Sequence, residues 1–151
     1  NAGAAYLFLT SRSLEGLVGA VSLSSADLKI LGENAGDKAG YPVASAGDVD
    51  GDGRADILVG ARGSNAGGVG SGAAYLLFAS GAIDAAGSTL NLKDADLKLD
   101  GEAADDFASS SVASAGDVNG DGLADILVTA RRNDAGGDNA GAAYLLYGRS
   151  F

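Results

Sequence analysis

The sequence predicts an all-β fold of tandem four-stranded antiparallel sheets, about two of them plus an extra strand. Three observations predict it. The chain repeats itself: Ala46-Gly47-Asp48-Val49-Asp50-Gly51-Asp52-Gly53 returns as Ala115-Gly116-Asp117-Val118-Asn119-Gly120-Asp121-Gly122, an offset of 69. The apolar runs within each repeat span only 3–6 residues and are bounded by Gly, Asp, Asn and Ser, which is the pattern of strands and turns. No stretch of about 11 residues or more keeps a 3.6-residue apolar period, so no helix is predicted.

Taken in order, the first apolar element is Gly3-Ala4-Ala5-Tyr6-Leu7, which recurs at Gly72 and Gly141. Asp27-Leu28-Lys29 follows and returns as Asp96-Leu97-Lys98. Next come Val43-Ala44-Ser45 and Ile57-Leu58-Val59-Gly60-Ala61. The second of these is apolar throughout, as expected of a strand covered on both faces. Ala73-Ala74-Tyr75-Leu76-Leu77-Phe78 has the same character, and Leu97-Lys98-Leu99 completes the set. Segment 79–88, rich in Gly and Ala, reads as an exposed connection. Segment 103–111, acidic and then Ser-rich, reads as a turn between sheets. The first 82 residues align with the last 82 without a gap, and about half the positions are identical. Four short strands in 69 residues, repeated in tandem, match one four-stranded propeller-type blade per repeat.

Composition narrows the function. Cys and His are absent, which excludes a disulfide framework, thiolate or Ser-His-Asp catalysis, and zinc sites built on sulfur. The net charge is −10 with no basic cluster, which argues against nucleic acid and anionic membranes as partners. No apolar run approaches the ~20 residues of a membrane span. The start lacks a basic-then-apolar signal pattern, and the absence of Met suggests a mature or excised segment. Hydrophobic residues make up 46% of the chain but aromatics only 6%, and much of the remainder is Ala. Such a core buries little area per residue, so a bound metal or a partner is expected to add stability.

The strongest chemical signal is the loop Asp48-Val49-Asp50-Gly51-Asp52-Gly53-Arg54-Ala55-Asp56, copied as Asp117-Val118-Asn119-Gly120-Asp121-Gly122-Leu123-Ala124-Asp125. Side chains at positions 1, 3 and 5 of a tight loop can aim their oxygens at one centre. The position-7 carbonyl, of Arg54 or Leu123, adds a main-chain oxygen, and the position-9 Asp closes the set. Hard oxygen donors in this number suit Ca²⁺, whereas Mg²⁺ keeps more water and a stricter octahedron. About two ions per chain follow. The loop is not an EF-hand, because position 12 is Val59 or Val128 rather than Glu, and no helices flank it.

The pattern resembles the FG-GAP repeat of integrin alpha-subunit β-propellers and of related arrays in bacterial surface proteins. The resemblance implies that the loop D-x-[DN]-x-D-G-x-x-D joins the first two strands of a blade and binds Ca²⁺. Asp48, Asp50, Asp52, Arg54 (through its carbonyl) and Asp56 would then hold one ion. Asp117, Asn119, Asp121, Leu123 (through its carbonyl) and Asp125 would hold another. The GAP element is similar to Gly60-Ala61-Arg62 and Thr129-Ala130-Arg131, with Arg in place of Pro. The FG element is eroded to Gly40-Tyr41 and Phe107-Ala108. By family order, 1–33 resembles the third and fourth strands of a blade, a complementing end. Segment 34–102 resembles a full repeat with its loop at 48–56. Segment 103–151 resembles a second repeat, loop at 117–125, lacking its last strand.

These features imply a non-enzymatic, calcium-stabilised structural or adhesion protein, extracellular or on the cell surface. Sites of this kind bind calcium in the micromolar-to-millimolar range, so they fill outside the cell and stay largely empty in a resting cytosol. Exposed blade edges would join protomers head to tail by strand complementation into a filament or ring, with a cell-surface or matrix protein or glycan as a possible further partner. The alternatives are a fragment of a larger integrin-like propeller adhesin or receptor, and a carbohydrate-binding module. The absence of Trp weighs against the latter.

Other residues read as structural. Tyr6, Tyr75 and Tyr144 occupy equivalent strand positions and are expected to pack. Arg62, Arg131 and Arg132 follow strand ends and are expected to pair with surface acids. Glu33, Glu102 and Asp105-Asp106 read as solvated acids. Gly67–Gly72 reads as a flexible hairpin, since no helix follows to make it a phosphate loop.

Overall fold

The computed structural model describes residues 1–9 and 18–150. The strands are β1 Ala4–Leu7, β2 Leu28–Leu31, β3 Val43–Gly47, β4 Asp56–Ala61, β5 Ala73–Leu77, β6 Thr89–Asn91, β7 Leu97–Asp100, β8 Ala108–Gly116, β9 Asp125–Ala130 and β10 Ala142–Leu146. They form three sheets, ordered β1-β2-β6, β3-β4-β5-β7 and β10-β9-β8. The middle sheet is a complete antiparallel meander of four strands. The third sheet repeats its first three strands in the same order. The first sheet pairs β1 with β2 as the middle sheet pairs β5 with β7. The protein is therefore all-β and built of propeller-like blades, as the repeat predicts.

Side chains alternate across each strand, so β4 and β5 feed two cores. Val59, Ala61, Ala73, Tyr75 and Leu77 pack with Leu28, Ile30, Leu90 and Leu92 toward the first sheet. Leu58, Ala74 and Leu76 pack with Val112, Ile126 and Val128 toward the third. Both faces of β4 and β5 are covered, which is why their runs carry no polar alternation. The same residues look different in the outer sheets. Tyr75 is fully buried whereas Tyr6 is 37% exposed, and Val112 is 6% exposed whereas Val43 is 50% exposed. Strand β10, identical in sequence to β5, alternates between half-buried and exposed residues because among the described residues no further sheet covers it.

Two predicted connections fold differently. Segment 79–88 is not simply an exposed loop: a π-turn at Ala79–Ile83 leads into β6, which runs parallel to β2. Leu90 and Leu92 bury themselves in the first core. The 103–111 turn ends earlier than expected, because β8 begins at Ala108. There the buried Ser109 hydroxyl accepts the Ala61 N–H of the neighbouring blade at 3.2 Å. A Ser-rich stretch joins the sheet through such contacts rather than through apolar burial.

The blades approach closely where the Gly-Ala-Ala-Tyr-Leu motif begins. Gly72 forms a parallel bridge with Ala108, and Gly3 with Ala39. Gly72 has φ +78°, and a Cβ there would collide with the Ala108 carbonyl oxygen. Gly72→Ala is expected to destabilise by about 1–3 kcal/mol from backbone strain alone, with the clash added. Urea denaturation checks this, and an unchanged midpoint contradicts it.

Polar contacts lock the same interface. Tyr75 donates its hydroxyl to Glu33 Oε2 at 2.8 Å, and Lys98 Nζ donates to the same oxygen at 2.8 Å. Glu33 is thus not a freely solvated acid. The Lys98 hydrogen bond, followed by that from Tyr75, holds its carboxyl below the ordinary value of 4.5. A carboxyl depressed by folding stabilises above the unfolded value and loses that contribution as pH falls through the folded one. Glu33→Gln is therefore expected to lower stability at pH 7 by about 1–2 kcal/mol and to flatten the fall in stability below pH 4.5. Parallel pH–stability curves for the two proteins would contradict this.

In the next blade the corresponding network is built on the buried Asn133. It donates to Asp106 at 2.8 Å, to the Tyr144 hydroxyl at 3.2 Å and to Glu102 at 3.2 Å. Asp106 is accordingly buried, not solvated as its sequence neighbourhood suggests. The arginines also depart from expectation. Arg62 lies over the Tyr41 ring at 4.5 Å, and Arg131 and Arg132 both lie over Phe107 at 5.0 Å. The ring faces attract the guanidinium groups electrostatically.

Candidate metal centre

Both acidic loops connect the first strand of a blade to the second. Loop 48–56 bridges β3 and β4, and loop 117–125 bridges β8 and β9. Glycine makes the turn possible: Gly51 and Gly53 have φ +84° and +83°, a conformation that a Cβ disfavours.

The position-1 carboxylates organise the loops. Asp48 accepts the N–H groups of Gly51 at 2.7 Å and Gly53 at 2.9 Å. Asp117 accepts those of Gly120 at 2.7 Å, Asp121 at 3.1 Å and Gly122 at 2.8 Å. These backbone donors, Gly122 foremost, hold the Asp117 carboxyl below its ordinary range. Position 5 caps position 7 in each loop: Asp52 accepts from Arg54 N–H at 2.7 Å, and Asp121 from Leu123 N–H at 2.9 Å.

The position-9 residues are buried. Asp56 accepts the Val49 N–H at 2.9 Å on one oxygen and the Ala79 N–H at 2.9 Å on the other. Asp125 does the same with Val118 at 2.8 Å and Gly148 at 2.8 Å. Burial pushes the Asp56 carboxyl upward, and the nearby Asp50 and Asp52 charges add to that, against the two backbone hydrogen bonds. A charged Asp56 in this position benefits from a neighbouring cation.

Asp48, Asp50 and Asp56 converge, with one oxygen of each within 4.8 Å of the others. Asp52 lies outside this trio. The positions of the second loop that match this trio in sequence are Asp117, Asn119 and Asp125, and the Asn119 amide donates to Asp121 at 2.9 Å. The donors are carboxylate and amide oxygens, which fit a hard divalent cation.

Residues outside the motif also touch the first loop. Ser80 donates its hydroxyl to Asp50 at 3.1 Å. Arg54 forms a bidentate pair with Asp84 at 2.6 and 2.9 Å. Spacing could not reveal either contact, since both partners lie 30 residues downstream on the π-turn segment, and the repeat places Arg149 rather than Ser opposite Ser80.

Comparison with known proteins agrees with this geometry. No curated protein matches the chain. The family model described as FG-GAP repeat matches residues 40–77 and 109–146, each match running from the first strand of a blade through its loop to the third strand. The chain belongs to the FG-GAP repeat family, whose repeats are the blades of integrin alpha-like propellers.

Proposed function

We propose that this protein is a calcium-stabilised, non-enzymatic adhesion or structural module that works outside the cell. The convergence of Asp48, Asp50 and Asp56 carries the reading, and the same loop design recurs 69 residues later. In loop 48–56 the ion's donors would be Asp48, Asp50, Asp52 and Asp56 with the Arg54 carbonyl. In loop 117–125 they would be Asp117, Asn119, Asp121 and Asp125 with the Leu123 carbonyl. The ion supplies charge neutralisation at the turns. The chain's own residues hold those turns through the backbone donors already described.

FG-GAP repeat proteins are typically extracellular or surface proteins, where calcium is abundant enough to fill sites of this class. Among the described residues, no helix is long and apolar enough to cross a membrane.

The outer sheets support assembly. Among the described residues β1 pairs only with β2, and β10 only with β9. A groove of about 670 Å³ runs beside β1, lined by Tyr6, Leu7, Ile30, Val43, Ile57 and Ile83. One repeat further on the equivalent residues, Tyr75 of β5 and Val112 of β8, are buried, and Leu58 of β4 packs with Val112. We assign the groove and the two free edges to further FG-GAP blades, supplied head to tail by another copy. The same edges equally fit blades of a longer integrin-like chain, because the first sheet presents the last two strands of the repeat and the third sheet the first three.

Beads coated with the protein are expected to aggregate in millimolar calcium and disperse in chelator. Beads that stay dispersed in both conditions contradict adhesion between copies.

A further inference from the structure

The two acidic loops touch each other through their main chains. Ala124 N–H donates to the Asp48 carbonyl at 2.8 Å, and Arg149 N–H donates to the Val49 carbonyl at 2.9 Å. Leu123 reaches across as well, with its Cδ2 3.0 Å from the place a Cβ on Gly51 would occupy. We infer that the two cation sites are coupled, so that filling either loop raises the affinity of the other. This rests on the reading that both loops hold a divalent cation.

Two chains of contacts carry the coupling. The first is a single peptide unit. Its carbonyl, from Leu123, is the main-chain donor assigned to the second loop, and its N–H, from Ala124, is held by Asp48 of the first. A peptide is planar, so fixing its N–H end also fixes the direction of its carbonyl. The second chain links the two position-9 carboxylates. Asp56 accepts from Val49 N–H. The Val49 carbonyl accepts from Arg149 N–H. The adjoining Gly148 N–H donates to Asp125. A cation that orders one loop therefore orders part of the other, and the second ion meets a smaller ordering cost. Direct repulsion between the ions works in the opposite sense, but salt screens exposed charges over about 8 Å at physiological ionic strength.

The test is calorimetric calcium titration of the full chain, and of Asp50→Ala and Asp121→Ala, at about 0.15 M salt. The wild type is expected to bind two ions. The product of its two binding constants should exceed the product of the variants' single constants by about fivefold or more, the usual lower range of coupling between sites. Equal products overturn the coupling while leaving the cation sites intact. A wild type that binds no calcium overturns the cation reading itself, and the coupling with it.

One further measurement keeps the test decisive if Asp50→Ala folds poorly. In Asp121→Ala, calcium should slow hydrogen exchange at the Ala124 amide, which faces the intact first loop. Unchanged exchange there also overturns the coupling.

Discussion

Stripping calcium from the protein is expected to lower its melting temperature by about 10–20 °C. Each ion bound at 100 times its dissociation constant stabilises by about 2.7 kcal/mol, and each kcal/mol moves the midpoint of a domain this size by about 2–4 °C. Two sites sum to the stated shift. The chemistry gives it a direction: the first loop gathers four carboxylates and the second three, and these repel one another when no cation is bound. Asp50→Ala and Asp121→Ala should each remove roughly half of the calcium-dependent shift while changing the calcium-free melting temperature little. Coincident melting curves with and without chelator would contradict a structural role for the ions.

Asp56→Ala has a second large effect, and it is independent of calcium. The Asp56 carboxylate is the acceptor for two buried N–H groups, those of Val49 and Ala79. Alanine leaves both without it, at about 1–3 kcal/mol each. The expected loss is therefore about 2–6 kcal/mol in chelator as well as in calcium. Asp56→Asn keeps one acceptor oxygen and should recover part of that loss while still weakening calcium binding. The outcome separates two roles carried by one residue: position 9 fastens the start of β4 to the end of β5, and it also faces the candidate ion. A loss seen only in the presence of calcium would contradict the structural role.

The sequence made the blades legible where covering on both faces left an uninterrupted apolar run. Ile57–Ala61 falls in β4, and Ala73–Phe78, all but its last residue, falls in β5 for this reason. The loops were legible as connections between strands because Gly and Asp crowd nine residues between apolar runs. What stayed hidden depends on distant partners. Leu90 and Leu92 lie outside any long apolar run, yet the edge of β2 draws Leu90 into β6, and Leu92, just after that strand, is buried in the same core. Ser109 through Ser111 have no apolar signal, and β8 takes them in because Ala61 N–H and the Thr129 hydroxyl meet them there. Glu33 looks like a surface acid until Tyr75 and Lys98, 42 and 65 residues away, close on it. Arg62, Arg131 and Arg132 sit in a chain rich in acids, and still stack on aromatic rings that the 4-to-1 strand connections bring beneath them. Contacts on the repeat's own scale could be read from spacing, whereas contacts between blades could not.

The most direct measurement is equilibrium dialysis of the intact chain against millimolar calcium, followed by counting bound ions. Two ions per chain, falling to one in Asp50→Ala and one in Asp121→Ala, is the predicted result. No calcium retained above the level of the dialysis buffer would contradict the assignment of both loops.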